Sequence, residues 1–217
     1  MKDRLQELAS AIAAKFHGHR AANVFTVAIS GIDAAGKGYI SERLYEELEA
    51  RGYRVALIHT DPWQNPIPVR LSKENPAENV YEHIFRWNDL FEQLIFPLQK
   101  NGNICLEIQA IRSDADIYYP LVYDHSNIDI LLIEGILLFK KEYLPYYDHK
   151  IWIDCSFETG LQRALTRNIE NLGEKELIHD YDTYYYAAQR LHLERDDPAG
   201  SADVIFDNNE CYASTCS

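Results

Sequence analysis

Residues 30–44 read SGIDAAGKGYISERL, and this stretch decides the fold. It contains the spacing GxxxxGK from Gly31 to Lys37, which is the pattern of a loop whose backbone N–H groups face phosphate oxygens. The preceding residues 23–30 (NVFTVAIS) are rich in apolar and β-branched side chains, which predicts a buried strand of a parallel sheet. Residues 39–51 carry apolar side chains at helical spacing. A strand, a glycine-containing loop and a helix in this order predict a nucleotide or polyphosphate site.

The loop departs from the usual pattern at one position. Loops of this type end in GK[ST], and the final hydroxyl helps to hold a magnesium ion, but here Gly38 follows Lys37. Lys37 is nevertheless predicted to reach the β and γ oxygens of a bound nucleotide. The residues predicted to bind phosphate are Gly31, Asp33, Ala34, Ala35, Gly36, Lys37, Gly38 and Tyr39. The glycine leaves three interpretations open: a kinase, a different phosphotransferase, or a nucleotide-binding module that has lost catalysis.

Composition limits the partners of the chain. Its 217 residues suit one domain over 1–217 with a substantial core. The 21 Lys and Arg against 34 Asp and Glu give a net charge of −13, and no basic run offers a track for a nucleic-acid backbone. No apolar run is long enough to span a bilayer, and the first 20 residues do not have the pattern of a signal peptide. We therefore expect no nucleic-acid partner, no membrane partner and a cytoplasmic location.

Cysteines and histidines give no pattern of a metal site. Cys105, Cys155, Cys211 and Cys216 are far apart and form no CxxC pair, which predicts reduced thiols. The eight histidines show no plausible ligand pairing apart from His17 and His19 at a helix end, and they are predicted to be surface or cap residues.

Short apolar runs and helical periodicity alternate along the chain. Further strands are predicted at 53–60, 128–135, 149–156 and 202–208, and helices at 3–16, 77–100 with a break or kink at Pro97, 157–172 and 175–193. Residues 61–76 are crowded with prolines and are predicted to lack regular structure. Two extended runs at 103–123 suggest an inserted β-hairpin. The pattern predicts an α/β fold, a three-layer sandwich around a mostly parallel five-stranded sheet.

Two acids and two arginines lie where this chemistry would need them. Glu134 follows the most apolar strand and is predicted to hold magnesium or its waters. Asp61 ends the strand after the loop helix, where it can accept the proton of an attacking hydroxyl, although a turn-forming aspartate is an equal alternative. Arg163 and Arg167 are spaced i, i+4 on one helix face, where they can neutralise a transferring phosphoryl group or simply pair with neighbouring glutamates.

Six segments taken together resemble the uridine kinase-like branch of P-loop kinases, to which phosphoribulokinase and bacterial pantothenate kinase are related. They are VAISGIDAAGKG, ALIHTDPWQNP, FRWNDLFEQLIFPL, IDILLIEGILLF, IWIDCSFETGLQRALTRN and DDPAGSADVIFDN, spread over roughly residues 24–208. The resemblance implies a P-loop NTPase fold with ATP and Mg²⁺ as cofactors. It implies phosphate binding by residues 31–38, a catalytic base at Asp61, and magnesium-side acids at Glu134 and Asp61. It also places Arg163 and Arg167 on a helical lid at about 157–175, and the acceptor over the hairpin at 103–123.

The acceptor is less closely defined by the resemblance. The hairpin does not match the aromatic and histidine pattern with which the family contacts nucleosides. The candidate acceptor contacts are Arg70, Tyr81, Arg86 and Arg112. The predicted function is transfer of the γ-phosphoryl group of ATP to a hydroxyl of a uridine- or cytidine-like nucleoside or a related metabolite. The predicted partner is this small-molecule acceptor, and homo-oligomerisation is left open.

A second resemblance concerns the loop alone. GIDAAGKG is similar to the loop of the second polyphosphate kinase family, in which DAAGKG is common. Members of that family also carry a motif around an Asp-Arg-Ser run, and this chain has no such run. A channel for a long polyanion would also need more basic surface than a chain of charge −13 provides. Polyphosphate therefore remains the minor alternative.

Overall fold

A computed structural model describes residues 1–19, 23–112, 115–167 and 172–209. The strands are β1 Phe25–Gly31, β2 Val55–His59, β3 Ile104–Ile111, β4 Tyr118–His125, β5 Ile130–Glu134, β6 His149–Asp154 and β7 Val204–Asp207. The helices are α1 Lys2–Gly18, α2 Lys37–Ala50, α3 Ile67–Arg70, α4 Pro76–His83, α5 Trp87–Leu90, α6 Phe96–Asn101, α7 Phe157–Arg167, α8 Glu174–Asp180 and α9 Tyr186–Asp196. In the described chain, no helix is both long and apolar enough to cross a membrane.

The main sheet has the strand order β2-β5-β1-β6-β7, and every neighbouring pair is parallel. All residues of β1 and β5 are buried, because both strands lie inside the sheet and helices flank it. The predicted five-stranded α/β sheet is therefore confirmed. The carboxyl ends of β1, β2 and β5 lie side by side, so the loops that follow them converge at one edge.

Helix α1 illustrates how the apolar spacing builds the core. Its buried residues Leu5, Leu8, Ala9 and Ile12 recur at helical spacing, and the helix packs beside α2. On another part of the sheet α4 packs against α9. These contacts hold the loop between β1 and α2 on a rigid base.

The predicted inserted hairpin is present. Strands β3 and β4 pair antiparallel from Ile104 opposite His125 to Ile111 opposite Tyr118. They form a two-stranded sheet of their own, which is not hydrogen-bonded to the main sheet. Ile108, Ala110 and Tyr123 on its inner face are buried, so the hairpin packs on the body of the protein through one side.

The prediction that residues 61–76 lack regular structure is wrong. A 3₁₀ turn covers Asp61–Trp63 and α3 follows it, with Pro62 and Pro68 in their first turns. Pro76 likewise begins α4. Proline needs no N–H partner at the start of a helix and its φ angle suits one, so these prolines initiate helices instead of preventing them.

The helix predicted over 77–100, with a break or kink at Pro97, is interrupted earlier in the chain. The chain leaves the helical path between α4 and α5, at residues 84–86. From α5 it continues through the π-helical turn Phe91–Ile95 into α6, where Pro97 lies in the first turn. The wider π turn accommodates the proline ring without ending the helix. The predicted lid at 157–175 includes α7, while residues 168–171 lie outside the described part of the chain, as do Cys211 and Cys216.

Candidate functional site

A cavity of about 560 Å³ opens at the carboxyl ends of β1, β2 and β5. The described residues that line it are Asp33, Ala34, Gly36, Lys37, Gly38, Tyr39, Glu42, His59, Asp61, Pro62, Gln64, Arg70, Ile84, Glu134, Gly135, Ile136, Arg167 and Tyr185. Ligands of open α/β sheets bind at this edge. The cavity brings together four residues that the sequence singled out at distant positions, namely Lys37, Asp61, Glu134 and Arg167.

The loop between β1 and α2 requires glycine at two points. Gly36 has a φ of 92°, in the left-handed region, and a Cβ there would lie 2.6 Å from Nδ2 of Asn208. A Cβ on Gly31 would lie 2.6 Å from the carbonyl oxygen of Ile153 in β6. The chain therefore turns tightly into α2. The first N–H groups of α2 have no acceptor within the helix and face the cavity, which makes this helix start suited to an anion.

Contacts from other elements hold the loop in place. The backbone N–H of Asp33 donates to Oε1 of Gln189 in α9 (2.8 Å), and the N–H of Ala34 donates to Oδ1 of Asp33 (3.1 Å). The Lys37 ammonium is almost fully buried and donates to the carbonyl oxygen of Ile32 (3.0 Å). A cation at the cavity wall beside a helix N-terminus adds to the attraction for phosphate.

The two arginines of α7 lie in different places. Arg163 supports the loop from behind, because it donates to the carbonyl oxygens of Asn208 (2.7 Å) and Ala35 (3.4 Å). The Asn208 amide donates to the same Ala35 oxygen (2.7 Å). Arg167 lines the cavity, whereas Arg163 is not among the described lining residues. Only Arg167 is thus placed to meet a ligand there, and Arg163 is placed to fix the shape of the loop.

Glu134 is held by a histidine that the sequence analysis assigned to the surface. His59 and Glu134 are register partners on β2 and β5, and Nδ1 of His59 lies 2.7 Å from Oε2 of Glu134. This hydrogen bond raises the pKa of His59 above its ordinary value. His149 and His192 are buried, so the prediction of surface or cap residues was wrong for these two, whereas the His59 side chain is 38% exposed and lines the cavity. The available signal was the position of His59 two residues before Asp61 at a strand end.

Asp61 begins the 3₁₀ turn after β2 and faces the cavity. Asp61 is exposed to solvent at the cavity mouth, although protein atoms surround its carboxylate on the other sides. The partial loss of hydration, with the nearby charges of Glu134 and Asp33, raises the pKa of Asp61 to about 6, although Lys37 and His59 oppose the rise. A carboxylate with a pKa near neutrality can accept a proton from a hydroxyl and release it again.

The oxygen-rich lining suits a hard cation that keeps much of its hydration. Glu134 and Asp61 face the cavity together with Asp33 and Glu42. Within the described ranges no three His, Cys, Asp or Glu side chains converge closely enough to form a complete metal site. Mg²⁺ usually takes one or two carboxylates and fills its shell with water and phosphate oxygens, so the donor set fits it.

The structure shows no requirement for glycine at position 38. A Cβ at this position would meet no atom within 4 Å, and the φ of Gly38 lies outside the left-handed region. Neither the backbone nor packing therefore requires glycine here. The hydroxyl of Ser41 is buried and donates to the carbonyl oxygen of Gly38 (2.9 Å), so it is occupied within α2 and does not replace the missing hydroxyl.

Of the four candidate acceptor contacts, the described cavity lining includes only Arg70. Arg70 is 1% exposed, and its Nη1 donates to the hydroxyl of Tyr185 (3.4 Å). The Tyr81 hydroxyl instead donates to Oδ2 of Asp196 (2.8 Å) in the interior. Arg86 lies between the turn Asp61–Trp63 and strand β3 of the hairpin. Arg112 lies at the end of β3, where its N–H donates to the carbonyl oxygen of Ile117 (3.0 Å).

Two curated relatives are similar to the chain in sequence. Uridine-cytidine kinase A of Dictyostelium discoideum is 26% identical over 168 residues, which make up 75% of this chain and 32% of that protein. Thymidylate kinase of Xanthomonas euvesicatoria pv. vesicatoria is 30% identical over 153 residues, 65% of this chain and 61% of that protein. The chain spans less than two thirds of the length of either relative. No protein-family model matches the sequence.

The fold is also similar to that of solved kinases. A structure described as a possible uridine kinase from Bacillus stearothermophilus superposes with a TM-score of 0.74 at 22% identity, covering 95% of this chain and 98% of that one. At this identity the likeness shows the fold. With the sequence relatives, it confirms the resemblance to uridine kinase-like P-loop kinases.

Proposed function

We propose that this chain, which has the fold and sequence resemblance of a uridine kinase-like P-loop kinase, transfers the γ-phosphoryl group of ATP to a hydroxyl of a small-molecule acceptor. The observation that carries the proposal is the position of Asp61. Its carboxylate, with a pKa of about 6, shares one cavity with Lys37 and the start of α2. A proton acceptor thus lies beside a phosphate-binding loop.

In this reaction the acceptor oxygen attacks the γ-phosphorus, and a new P–O bond forms as the bond to the β–γ bridging oxygen breaks. The hydroxyl proton passes to the Asp61 carboxylate, and ADP leaves. Lys37 and Arg167 face the charge that develops on the transferred oxygens and neutralise it. The N–H groups at the start of α2 orient the remaining phosphates.

Glu134 and Asp61 would hold Mg²⁺ or its waters. The chemistry that the ion would supply is partial neutralisation of the phosphate charge that the acceptor oxygen must approach. His59 fixes the Glu134 carboxylate through the 2.7 Å hydrogen bond, so the acid keeps one orientation. Since magnesium retains several waters in such sites, the absence of a hydroxyl at Gly38 is compatible with catalysis.

The acceptor belongs, in this proposal, to the class of nucleosides or related hydroxyl-bearing metabolites. Support comes from the sequence similarity to uridine-cytidine kinases and from the size of the cavity, which suits a nucleotide and a small acceptor. The single-domain organisation, the cytoplasmic location and the choice of ATP over polyphosphate stay predictions from the sequence.

The Asp61→Asn variant tests the proposal. We expect acceptor-dependent ADP formation to fall about 10²- to 10⁴-fold, the range that general-base catalysis contributes, while the affinity for Mg-ATP measured by calorimetry changes little. The wild type is first screened against nucleosides, sugars and hydroxy acids. Normal turnover by Asp61→Asn would refute the role of the base. Tight ATP binding by the wild type without transfer to any acceptor would favour a nucleotide-binding module.

A further inference from the structure

The turn that carries Asp61 is held by more than its own hydrogen bonds. Within Asp61–Trp63 the N–H of Trp63 donates to the carbonyl oxygen of Thr60 (2.9 Å), and the N–H of Gln64 donates to the carbonyl oxygen of Asp61 (3.2 Å). The Gln64 amide also lies 3.5 Å from Oδ1 of Asp61, and the N–H of Thr60 donates to the carbonyl oxygen of Glu134 (3.0 Å), which ties the start of the turn to β5. Contacts with the hairpin add further anchors on the other side of the turn.

The first such contact joins the turn to the hairpin. Trp63 is completely buried, and its indole N–H donates to the hydroxyl of Tyr123 on β4 (3.0 Å). The two rings lie nearly parallel, 6.2 Å apart with an interplanar angle of 19°. Burial raises the pKa of Tyr123 to about 12, so its hydroxyl stays neutral. A buried indole N–H that lost this partner would be costly, which makes the contact directional.

The second contact runs through Arg86. Its Nη2 donates to the carbonyl oxygen of Gln109 on β3 (3.1 Å) and lies 3.4 Å from that of Pro62, inside the turn. The guanidinium lies 5.4 Å from the centre of the Trp63 ring, and the backbone N–H of Arg86 donates to the Trp63 carbonyl oxygen (2.8 Å). One planar donor thus bridges the hairpin and the residue that follows Asp61.

A third contact lies at the far end of the hairpin. The backbone N–H of Ile67, the first residue of α3, donates to Oδ1 of Asp116 in the connection between β3 and β4 (2.8 Å). Helix α3 ends at Arg70, which lines the cavity. The hairpin is therefore attached at two places, at Pro62 and Trp63 and at Ile67, to the segment that carries Asp61 and Arg70.

We propose that Tyr123 and Arg86 are positioning residues that use the hairpin to hold the Asp61 carboxylate in line with the acceptor hydroxyl. This inference rests on the proposed kinase function and adds to it a task for the hairpin. Displacement of a reacting group by about 1 Å can reduce a rate about 100-fold, so loss of one contact should be visible in the chemical step.

The experiment compares Tyr123→Phe and Arg86→Gln with the wild type. Tyr118→Phe is the matched control, because Tyr118 lies on the same strand and is 54% exposed. Transfer is measured per ATP-binding site, so that partial unfolding does not appear as loss of catalysis. We expect kcat to fall about 10-fold in Tyr123→Phe and Arg86→Gln, with the Kd for ATP and the KM for the acceptor unchanged and with Tyr118→Phe equal to wild type.

A double-mutant cycle separates positioning from general damage. In the Asp61→Asn background the same two substitutions should cause no further loss, because the group that they position is gone. Full activity of both single variants, or additive losses in that background, would overturn the inference while leaving the kinase function intact. A raised acceptor KM with normal kcat would also overturn it and would assign Arg86 to direct acceptor contact. Absence of any transfer by the wild type would remove the proposed function and the inference with it.

Discussion

The two sides of the cavity are built in different ways. The phosphate side consists of consecutive residues between β1 and α2. Its shape requires the left-handed φ of Gly36 and the absence of a side chain at Gly31, and side chains from α7, α9 and the end of β7 brace it from outside. The side that carries Asp61 combines the turn after β2, α3, the hairpin and Tyr185, which ends the π-helical turn Tyr181–Tyr185 before α9. Side chains join these pieces across long stretches of sequence.

This difference determines where each side is vulnerable. A backbone-defined loop tolerates changes of most side chains but not of a residue whose φ angle or lack of Cβ is required. A site assembled from distant side chains tolerates small backbone strain, but each buried polar contact that it loses leaves a donor or acceptor without a partner. Substitutions on the two sides should therefore fail for different reasons, and each of the following experiments addresses this comparison.

The largest effect on stability is expected for Gly36→Ala on the phosphate side. The left-handed φ costs an alanine about 1–2 kcal/mol, and its Cβ would displace the Asn208 amide from Ala35 at a further cost of about 1–3 kcal/mol. Gly52→Ala is the matched control, because its φ is +90° and a Cβ there meets nothing within 4 Å. Urea unfolding should show a larger loss for Gly36→Ala, which should also lose ATP affinity. Equal losses of unfolding free energy in Gly36→Ala and Gly52→Ala would show that the left-handed φ, and not the contact with Asn208, accounts for the effect.

On the other side, Arg70→Gln should affect the acceptor and spare the donor. Arg70 faces the cavity from α3, so we expect a kcat/KM for the acceptor about 10- to 100-fold lower, the loss typical of a charge-assisted hydrogen bond, and an unchanged Kd for ATP. Arg54→Gln is the control, because Arg54 pairs with Asp129 at the opposite end of β2. If Arg70→Gln lost ATP affinity by as large a factor as acceptor kcat/KM, Arg70 would belong to the phosphate side, and the two sides of the cavity would not be separate.

The sequence predicted most of the fold because its main signals are local. The apolar runs of β1 and β5 and the periodicity of α1 and α2 are readable from neighbouring residues. The prolines of residues 61–76 and Pro97 present one common difficulty for prediction. A proline that starts a helix and a proline that interrupts one look alike in sequence, and only the surrounding contacts distinguish them.

The candidate site follows the same division. That Asp61 and Glu134 share a cavity with Lys37 of the loop could be predicted because residues at the ends of neighbouring parallel strands meet at one edge of the sheet. His59 was missed because its partner is a register neighbour 75 positions away. The separate placements of Arg163 and Arg167 could not be deduced from their i, i+4 spacing, since the loop that Arg163 supports comes from a different element.

A smaller effect is expected from pH at Asp196, which ends α9 and contacts Tyr81 of α4 away from the cavity. Burial alone would raise the pKa of Asp196, but hydrogen bonds from His192, Tyr81 and the N–H of Lys141 outweigh it and the pKa is lowered. The unfolded chain therefore takes up this proton first as pH falls, and the stabilisation is lost between the ordinary aspartate pKa near about 4 and the lower folded value. Urea unfolding at pH 6 and pH 3 should show a shallower decline for Asp196→Asn than for wild type. The decline for Tyr81→Phe should lie between the two. Identical declines for the wild type and Asp196→Asn would contradict the proposed hydrogen-bond network.

The smallest change in stability is expected at Gly38, where the phosphate side departs from the usual motif. A serine there meets no atom within 4 Å and needs no unusual φ, so Gly38→Ser should change the free energy of unfolding by no more than about 0.5 kcal/mol. Its hydroxyl would lie beside Lys37 and supply an oxygen ligand for magnesium, so the affinity for Mg-ATP should stay equal or rise while that for ATP without metal stays constant. Gly38→Ala is the matched control, because it adds the Cβ without the oxygen. A higher affinity for Mg-ATP in Gly38→Ser but not in Gly38→Ala would show that Glu134 and Asp61 leave the metal site incomplete. A sharp loss for both would mean that ligand binding brings a phosphate close enough to require glycine, and that the loop is defined by its ligand as well as by its backbone.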